Sequence, residues 1–312
     1  MRENPLVTIL TPVYNSPDLF QTLESVRQQI YRPIQYILID DASECYEEEP
    51  IREFFSQVGE GFTLEILRNA QNIGTVRTLN RGLSIARGKY VFSLAGDDAF
   101  FDERVIADWV AAFEEIDCDV LTARRAVCDN KLENILEILP SEETMLIMKS
   151  FSARELFEYL AQGNKISGSC TAWRLDSLRR MRLYDEHYRL MEDYPTYLRL
   201  LREGGKILFL DRVVIRYRRG GVSTMKIVSE TLEHDVVQIW KREIIPFVQN
   251  PFKAKLRLIR WQRSVRFDRW YYREQKKNCN SVIKECSLRV LYGIYHPKRS
   301  MRKMLSIIHR PG

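Results

Sequence analysis

The sequence predicts an α/β fold whose central sheet is mostly parallel and flanked by helices. The first observation is the uncharged run YVFSL at residues 90–94, which is typical of a buried central strand. Similar runs at 6–11, 34–39 and 64–67 alternate with helical patterns at the spacing of βαβ units. Three of these strands end in polar loops, as expected of an open sheet that binds ligands outside the carboxyl ends of its strands.

The first strand and helix have clear boundaries. The run at 6–11 leads into a loop at 12–15, and Ser16 with Pro17 then marks the start of a helix that reaches about Gln29. We expect this loop to line a crevice at the edge of the sheet.

The next elements repeat the pattern. The second strand ends at Asp40 and Asp41, and the third, at 64–67, is followed by a polar loop with Gly74, where a positive φ angle is easily adopted. Residues 75–86 carry apolar side chains at helical spacing, so this segment is predicted to be a helix that precedes the central strand.

The central strand ends in a small residue pair and two adjacent acids, Asp97 and Asp98. Neighbouring carboxylates repel each other unless a cation or a donor lies against them. A divalent ion that bridges a carboxylate and diphosphate oxygens satisfies this requirement. The alternative is a turn and an Asp N-cap for the helix that starts near Glu103. Because the polar strand ends converge, we expect Mn²⁺ or Mg²⁺ as the cofactor.

Composition narrows the class of protein. The 312 residues are 45% hydrophobic, which suits one α/β core with a helical addition. No run approaches the roughly 18 apolar residues of a membrane span, and six cysteines without a CxxC pair indicate reduced thiols in a cytoplasmic protein. The G-x-G-x-x-G and P-loop patterns are absent, so a bound nucleotide would be held by acids and a metal.

From residue 253 onward the chain is strongly basic, with 17 Lys or Arg against three acids. Aromatic side chains such as Trp261 and Trp270 lie between the basic ones. Basic, aromatic-rich helices bind anionic membrane surfaces, and nucleic acid is the rival partner for this charge pattern. The third interpretation is the solvated face of a packed helix.

Six short motifs in the first hundred residues carry a resemblance to the family 2 glycosyltransferases of the GT-A fold. They are TPVYN at 11–15, DDAS at 40–43, NIG at 72–74, NRG at 80–82, GKY at 88–90 and GDD at 96–98. Each is a weak signal alone, but six in order at matching spacing are specific. The resemblance continues more sparsely to about Ser223, through GS at 168–169, ED at 192–193 and YR at 217–218.

The resemblance implies a domain organisation. A GT-A domain would occupy residues 1–225, with a nucleotide-binding half at 1–100 and an acceptor half at 101–225. The basic, mostly helical extension would occupy 226–312.

The resemblance also assigns nucleotide-binding residues. It implies that Pro12, Tyr14 and Asn15 shape the nucleoside pocket, with Tyr14 as a ring contact for base or ribose. Asp41 would accept a hydrogen bond from the base imide, which suits uracil or thymine, with Asp40 beside it; the alternative for this pair is an Asx-turn. The remaining nucleotide-binding positions are Thr11, Asn72, Gly74, Gly96 and Arg77, the last of which has a solvated surface cation as its alternative.

In the resembled family the central strand usually ends Asp-x-Asp, and the second acid binds the metal. Here Ala95 replaces the first acid, so the resemblance implies Asp97 as the metal ligand with Asp98 as its support. The ion would act as a Lewis acid on the diphosphate.

The acids of MEDY at 191–194 precede an amphipathic helix, where they would in any case complement the helix dipole. The family places its general base in this pair, which implies Asp193 as the base beside Glu192. A carboxylate next to another acid near a crevice has a raised pKa, which suits proton abstraction. Direct displacement at the anomeric carbon would then invert its configuration.

On the acceptor side, the resemblance implies roles for Gly168 and Ser169. Trp173 is a candidate for stacking on a sugar ring, with a buried core position as the alternative. Arg219 stands where many members have His, and it would pair with a phosphate oxygen or be solvated.

The sequence therefore predicts an inverting, metal-dependent glycosyltransferase that uses a nucleotide-diphosphate sugar, with UDP as the expected nucleotide. The expected acceptor is a glycan or lipid-linked glycan of a bacterial surface polysaccharide, reached at the inner face of the membrane. Two other classes remain: a catalytically degenerate binding protein of the same fold, and a basic nucleic-acid-binding protein.

Overall fold

The computed structural model describes residues 3–220, 227–277 and Tyr292. The strands are β1 Val7–Val13, β2 Ile34–Asp40, β3 Phe62–Arg68, β4 Tyr90–Ser93, β5 Ala99–Phe100, β6 Val120–Cys128, β7 Ile135–Leu139, β8 Thr171–Arg174 and β9 Ile207–Arg218. The helices are α1 Leu19–Arg27, α2 Glu49–Phe55, α3 Thr75–Ile85, α4 Val105–Glu115, α5 Glu142–Lys149, α6 Ala153–Leu160, α7 Leu175–Arg180, α8 Asp193–Arg202, α9 Glu230–Ile239 and α10 Pro251–Lys277, with a π-helix at Trp240–Ile244.

The first half of the sheet is parallel, as the sequence predicts. Strand β1 lies between β2 and β4, and β3 pairs with the other edge of β2. Every residue of β2 is buried, because helices cover both faces of this part of the sheet.

The second half corrects the expectation of a mostly parallel sheet. Strand β8 is antiparallel to both β4 and β6, and β5 and β7 are antiparallel to β9 and β6, whereas β6 and β9 are parallel. The described sheet has the order β3-β2-β1-β4-β8-β6-β9-β5, with β7 beside β6. Helices α5 and α6 interrupt the strand–helix alternation here, so no simple βαβ unit forms.

Two apolar cores flank the sheet, and alternate strand residues point to each of them. Ile37 and Ile39 of β2 pack with α3, α6, α7 and α8 on one face, while Tyr36 and Leu38 pack with α1, α2 and α4 on the other. This arrangement brings the first turns of α3 and α8 to the same face of the sheet.

The C-terminal helices pack on the first of these cores. Ile239, Trp240 and Ile244 are buried there, together with Ala254 and Leu258 of α10. No helix among the described residues combines the length and the apolar character that a bilayer span requires. Residues 221–226, which include Ser223 of the sparse motifs, and the basic segment 278–312 except Tyr292 lie outside the described part.

Candidate active site

Three loops meet at the carboxyl edge of the parallel strands. The Pro12 carbonyl accepts a hydrogen bond from the Gly96 N–H (3.2 Å), and the Val13 carbonyl accepts one from the Asp41 N–H (2.8 Å). The loop after β1 therefore ties the loops after β2 and β4 together, and the polar strand ends form one crevice, as expected for this edge of an open sheet.

Gly96 allows the acid-bearing loop after β4 to approach β1. A Cβ atom at this position would lie 3.0 Å from Val13 Cγ2 and 3.3 Å from Pro12 O. The Ser16 hydroxyl fixes the same point by donating to Gly96 O at 2.6 Å. A larger residue would push the acids away from the crevice.

The loop after β1 presents Tyr14 to the crevice edge, where its side chain is 54% exposed. Asn15 has a left-handed backbone, with φ 48°. Its N–H donates to Ser43 Oγ (2.8 Å), and its Oδ1 accepts from the Glu44 N–H (2.9 Å). These contacts hold a conformation that non-glycine residues rarely adopt, as is common at functional sites.

Thr11 is completely buried in β1, because this strand extends to Val13. The expectation that Thr11 contacts the nucleotide is therefore wrong for its side chain, which has no path to the crevice.

Asp41 holds the loop between β3 and α3. Its Oδ1 accepts hydrogen bonds from Asn69 Nδ2 and the Ile73 N–H, both at 2.8 Å, and its Oδ2 accepts one from the Gly74 N–H at 2.9 Å. The side chain is only 4% exposed. The structure thus corrects the expectation that Asp41 receives the base imide, because internal donors engage both of its oxygens.

Asp40 is completely buried below the loop after β2. Its carboxylate accepts the Ser43 N–H at 3.1 and 3.2 Å and lies 3.2 Å from Arg68 Nε. The bonded N–H belongs to the residue three positions on, so this turn is one residue wider than the Asx-turn that was the alternative for the pair. Asp40 therefore shapes the loop and is not exposed to a nucleotide.

Asn72 and Gly74 lie at the crevice end of α3. Arg189 Nη2 donates to the carbonyl (3.0 Å) and Oδ1 (2.7 Å) of Asn72. Gly74 has φ 88°, and a Cβ atom there would lie 2.5 Å from Arg189 Cγ. The Arg77 side chain points away from the crevice acids: its Nε lies 3.4 Å from Glu186 Oε2, and it lines a separate cavity.

The two acids after β4 have different environments. Asp98 is 1% exposed, and its Oδ1 accepts the Arg218 N–H at 2.8 Å. Asp97 is partly exposed, and no donor from another described residue contacts its carboxylate. Burial raises the pKa of both carboxyls, and the charge of Asp97 raises that of Asp98 further.

Asp97 suits a divalent ion better than Asp98 does, because its oxygens are open. Magnesium-like ions use one or two carboxylates together with substrate phosphates. Among the described residues, no group of three or more His, Cys, Asp or Glu would hold an ion by itself. An ion at Asp97 would take its other ligands from water and from substrate oxygens.

Arg218, at the end of β9, secures the turn that carries these acids. Its Nε donates to the Asp97 carbonyl (2.9 Å) and its Nη2 to Gln21 Oε1 (2.7 Å). The YR motif at 217–218 carried no assigned role, and this contact was not predictable because Arg218 lies 121 residues from Asp97.

Arg125, on β6, is a second functional candidate that the sequence analysis missed. Its guanidinium lies 4.0 Å from the ring centroid of Tyr217, and its Nη1 donates to Ser167 Oγ at 2.7 Å. Its charge also favours the ionised form of Asp98. Arg125 therefore links the acids after β4 to the loop that precedes β8.

Asp193 is the first residue of α8, and three donors orient it. Its Oδ2 accepts the Gly168 N–H (3.0 Å) and Asn164 Nδ2 (3.3 Å), and its Oδ1 accepts the Tyr194 N–H (2.6 Å). These bonds favour the carboxylate, but burial outweighs them and raises the pKa of Asp193.

Glu192 differs from its neighbour, because no donor from another described residue contacts its carboxylate. Burial raises the pKa of Glu192, and the charge of Asp193 raises it further. Both acids face Gly168, where a Cβ atom would lie 3.1 Å from Asp193 Oδ2 and 3.2 Å from Glu192 Oε1. A side chain at position 168 would therefore crowd both acids.

The other residues predicted to lie on the acceptor side have different environments. Ser169 Oγ lies 3.0 Å from Ser167 Oγ, beside Gly168. Trp173 is 3% exposed and stacks on Tyr197, with ring centroids 5.8 Å apart. Its prediction as a sugar platform is wrong, since β8 points this ring into the core. Arg219 is exposed just beyond β9.

Comparisons with known proteins agree with this geometry. Residues 8–182 match the family described as glycosyl transferase family 2. The chain is 24% identical over 245 residues to the glycosyltransferase GlyG of Streptococcus pneumoniae, which covers 77% of this chain and 79% of that protein. It is also 24% identical over 208 residues to WcaA of Escherichia coli, a putative colanic acid biosynthesis glycosyl transferase, which covers 66% and 70%.

Solved structures confirm the GT-A fold. The mannosyltransferase PcManGT from Pyrobaculum calidifontis, in complex with GDP-Man and Mn²⁺, superposes with a TM-score of 0.60 at 15% identity, covering 97% of this chain and 85% of that one. Residues 1–349 of Staphylococcus aureus TarS, in complex with UDP-GlcNAc, give 0.58 at 14% identity, covering 93% and 80%.

Proposed function

Because the chain belongs to glycosyl transferase family 2, we propose that it moves a sugar from a nucleotide-diphosphate donor to an acceptor hydroxyl in the crevice. One observation carries this proposal: Arg125 acts on the acids after β4 through its charge, and it is hydrogen-bonded to the loop that binds the acids at the start of α8. The charge of Arg125 favours the ionised form of Asp98, and Arg125 Nη1 donates a hydrogen bond to Ser167 Oγ. The N–H of the next residue, Gly168, donates to Asp193 Oδ2.

The donor would lie across the loops after β1 and β4. Tyr14 offers an exposed ring to the nucleobase or ribose, and Asn15 and Pro12 shape the wall beside it. Asp41 acts indirectly, by fixing the loop with Asn72 and Gly74. We expect a UDP-sugar, and the structural neighbours with UDP-GlcNAc and GDP-Man keep a GDP-sugar as the alternative.

A divalent ion, Mn²⁺ or Mg²⁺, would be held by Asp97 and by donor oxygens. When bound, it would neutralise charge that develops on the leaving diphosphate. Arg218 keeps the Asp97 turn in place through its bond to the Asp97 carbonyl. Arg125 adds a fixed positive charge that acts on Asp98, and its remaining guanidinium donors would stabilise the same developing charge.

Asp193 would take the proton from the acceptor hydroxyl. Gly168 and Asn164 fix its carboxylate, and burial raises its pKa toward the range in which a carboxylate removes a proton efficiently. Glu192 raises the proton affinity of the pair by its proximity. A base on the acceptor side lets the hydroxyl displace the diphosphate directly, with inversion at the anomeric carbon.

The acceptor would be a glycan or a lipid-linked glycan, presented at an anionic membrane surface. Relatives support this class: WcaA is named for colanic acid biosynthesis, and a Mycoplasma genitalium relative, 23% identical over 254 residues, is a processive diacylglycerol β-glycosyltransferase. On α10, an outward stripe recurs every three or four residues. It consists of Phe252, Leu256, Ile259, Arg263, Arg266, Trp270 and Arg273.

Transfer assays test the proposal. In a panel of UDP- and GDP-sugars with Mn²⁺ present, the wild type should hydrolyse one nucleotide sugar or transfer its sugar to an acceptor. Asp193→Asn should lower kcat by about 10² to 10⁴-fold while nucleotide binding persists, and Glu192→Gln should keep more activity. Nucleotide binding without turnover by the wild type would favour the degenerate binding protein, which Ala95 in the acid motif makes the second candidate.

A further inference from the structure

A second concavity lies outside the crevice. It has a volume of about 840 Å³ and runs along α3, with residues 182–187 on its other side and Arg242 of the π-helix at its end. Ile73 of the loop after β3 lines it, but no residue of the loop after β1 and no acid after β2 or β4 does. We call it the arginine groove after five residues that line it, Arg77, Arg81, Arg182, Arg199 and Arg242.

The arginine groove has an excess of positive charge. Its carboxylates, Asp185 and Glu186, face five guanidinium groups. The ion pair between Glu186 and Arg77 is long, at 3.4 Å, and exposed to solvent, and the pair between Asp185 and Arg242 is also long, at 3.5 Å, with Asp185 partly buried. Such pairs contribute little and leave most guanidinium donors free. The groove therefore keeps an unneutralised positive field.

Two of the arginines have donors without partners in the described structure. No described residue makes a hydrogen bond or ion pair with the Arg182 side chain. Arg199 Nη2 donates to the carbonyls of Met181 (2.8 Å) and Leu183 (2.9 Å), but its buried Nε has no acceptor. Buried donors without acceptors are rare in native proteins and call for an explanation.

The backbone that presents Arg182 is strained. Arg182 and Leu183 are consecutive non-glycine residues with φ 61° and 60°. Arg199 holds this segment through the two carbonyls on either side of Arg182. Left-handed non-glycine residues cost free energy and persist where surrounding contacts fix them, often at ligand clamps.

We propose that the arginine groove binds a phosphate-bearing anion, at a site separate from the donor site. Guanidinium forks match phosphate oxygens with two parallel hydrogen bonds and retain their charge at all physiological pH values. The groove volume falls within the range of small-molecule sites. A diphosphate or a sugar phosphate has the charge and size to engage Arg182 together with Arg242 or Arg199.

Calorimetry with inorganic pyrophosphate tests this site on the full chain, in EDTA so that a metal-dependent donor site does not compete. The test variant combines Arg182→Asn with Arg242→Gln, because Asn tolerates the left-handed backbone at position 182. The control combines Arg52→Gln with Arg104→Gln, which removes the same charge from exposed helical pairs outside the groove. Thermal melts confirm that each variant folds. If the double variant does not fold, the single variant Arg182→Asn replaces it in the titration.

We expect the wild type to bind pyrophosphate and the groove variant to bind it with an affinity at least about tenfold lower. The affinity of the control should match that of the wild type within twofold. Absence of binding by the wild type at millimolar pyrophosphate would overturn the proposal, as would equal affinity of the groove variant. Because the assay contains no metal and no nucleotide, its failure would leave the proposed transferase activity untouched.

The same variants identify the source of the phosphate. If pyrophosphate displaces the wild type from phosphatidylglycerol vesicles, and the groove variant binds these vesicles more weakly than the control does, the ligand is a lipid headgroup. If pyrophosphate binds the groove but vesicle binding is the same in all three proteins, the ligand is a soluble phosphate.

Discussion

The acid pair before α8 contains two carboxylates with different surroundings. The Asp193 carboxylate receives three hydrogen bonds, whereas the Glu192 carboxylate receives none from another described residue. Gly168 is the point at which both are constrained, because its N–H holds Asp193 and its missing side chain makes room for both. The position of the proposed base thus depends on a glycine as much as on the acids.

Replacing Gly168 should therefore impair activity more than stability. In Gly168→Ala the new methyl group would lie 3.1 Å from Asp193 Oδ2, so the carboxylate must shift. We expect kcat to fall about 10²-fold, with a small change in melting temperature. Gly59→Ala, where an added Cβ atom would meet nothing within 4 Å, is the matched control. Wild-type turnover by Gly168→Ala would contradict the assigned constraint.

The raised pKa of Glu192 makes a prediction about stability and pH. In the unfolded chain Glu192 ionises near pH 4.3, but in the folded chain burial and Asp193 keep its proton to higher pH. The folded state thus loses stability as the pH rises between the two pKa values. Glu192→Gln removes this loss, so its melting temperature should exceed that of the wild type at pH 8.

The gain at pH 8 should be about 2–4 °C and should shrink toward pH 4. Calorimetric melts across this range measure it. An equal difference at both ends of the range would mean that Glu192 is not the group responsible.

The placement of a residue in the fold was predictable from the sequence where a strand or helix end positions its side chain directly. Asp97 and Asp193 belong to this class. Asp41 and Trp173 do not, because their surroundings come from distant segments: Asp41 binds residues 28–33 positions away, and Trp173 packs on Tyr197. Arg125 and Arg218 were missed for the same reason.

Among the elements, the loop between β3 and α3 shows how a buried carboxylate organises a binding edge. Three donors converge on Asp41, from Asn69, Ile73 and Gly74. The loop is held on its other side by Arg189, which contacts Asn72. A loop with so many fixed backbone groups is preorganised, which lowers the entropy cost of binding a nucleotide.

Asp41→Ala should release this loop. Loss of the acceptor leaves buried N–H groups unsatisfied, at a cost of about 1–3 kcal/mol in the free energy of unfolding, measured by urea denaturation. The KM for the donor should rise as well. Asp41→Asn retains one acceptor oxygen, so its free energy of unfolding and its KM should lie between those of the wild type and Asp41→Ala. Wild-type stability in Asp41→Ala would show that the loop does not depend on this carboxylate.

Across the whole molecule, the predictable half of the fold is the half with local strand–helix alternation. Strands β1 to β4 follow the βαβ pattern, and their parallel pairing was read correctly. Strands β6, β8 and β9 pair across long stretches of chain, and their directions depend on tertiary packing that a single sequence does not display. The C-terminal helices share the core with α3 and α8, so the extension is packed against the catalytic fold.

The outward stripe of α10 should control membrane binding. Arg263→Gln with Arg266→Gln removes two basic groups, each worth about 1 kcal/mol near an anionic surface, so binding to phosphatidylglycerol vesicles should weaken about tenfold or more. Vesicle sedimentation measures this, with Arg52→Gln plus Arg104→Gln as the charge-matched control. Equal loss in the control would indicate a general charge effect, and unchanged binding in the α10 variant would exclude this surface.

The proposed transfer requires the crevice to bind a nucleotide diphosphate through a metal held by Asp97. The most direct measurement is calorimetric titration of UDP and GDP, with and without Mn²⁺, into the wild type and Asp97→Asn. We predict that Mn²⁺ strengthens binding of one nucleotide at least about tenfold in the wild type, and that Asp97→Asn loses this increase while keeping the weak metal-free binding. A nucleotide affinity that is indifferent to Mn²⁺, or a metal effect that survives in Asp97→Asn, would contradict the account.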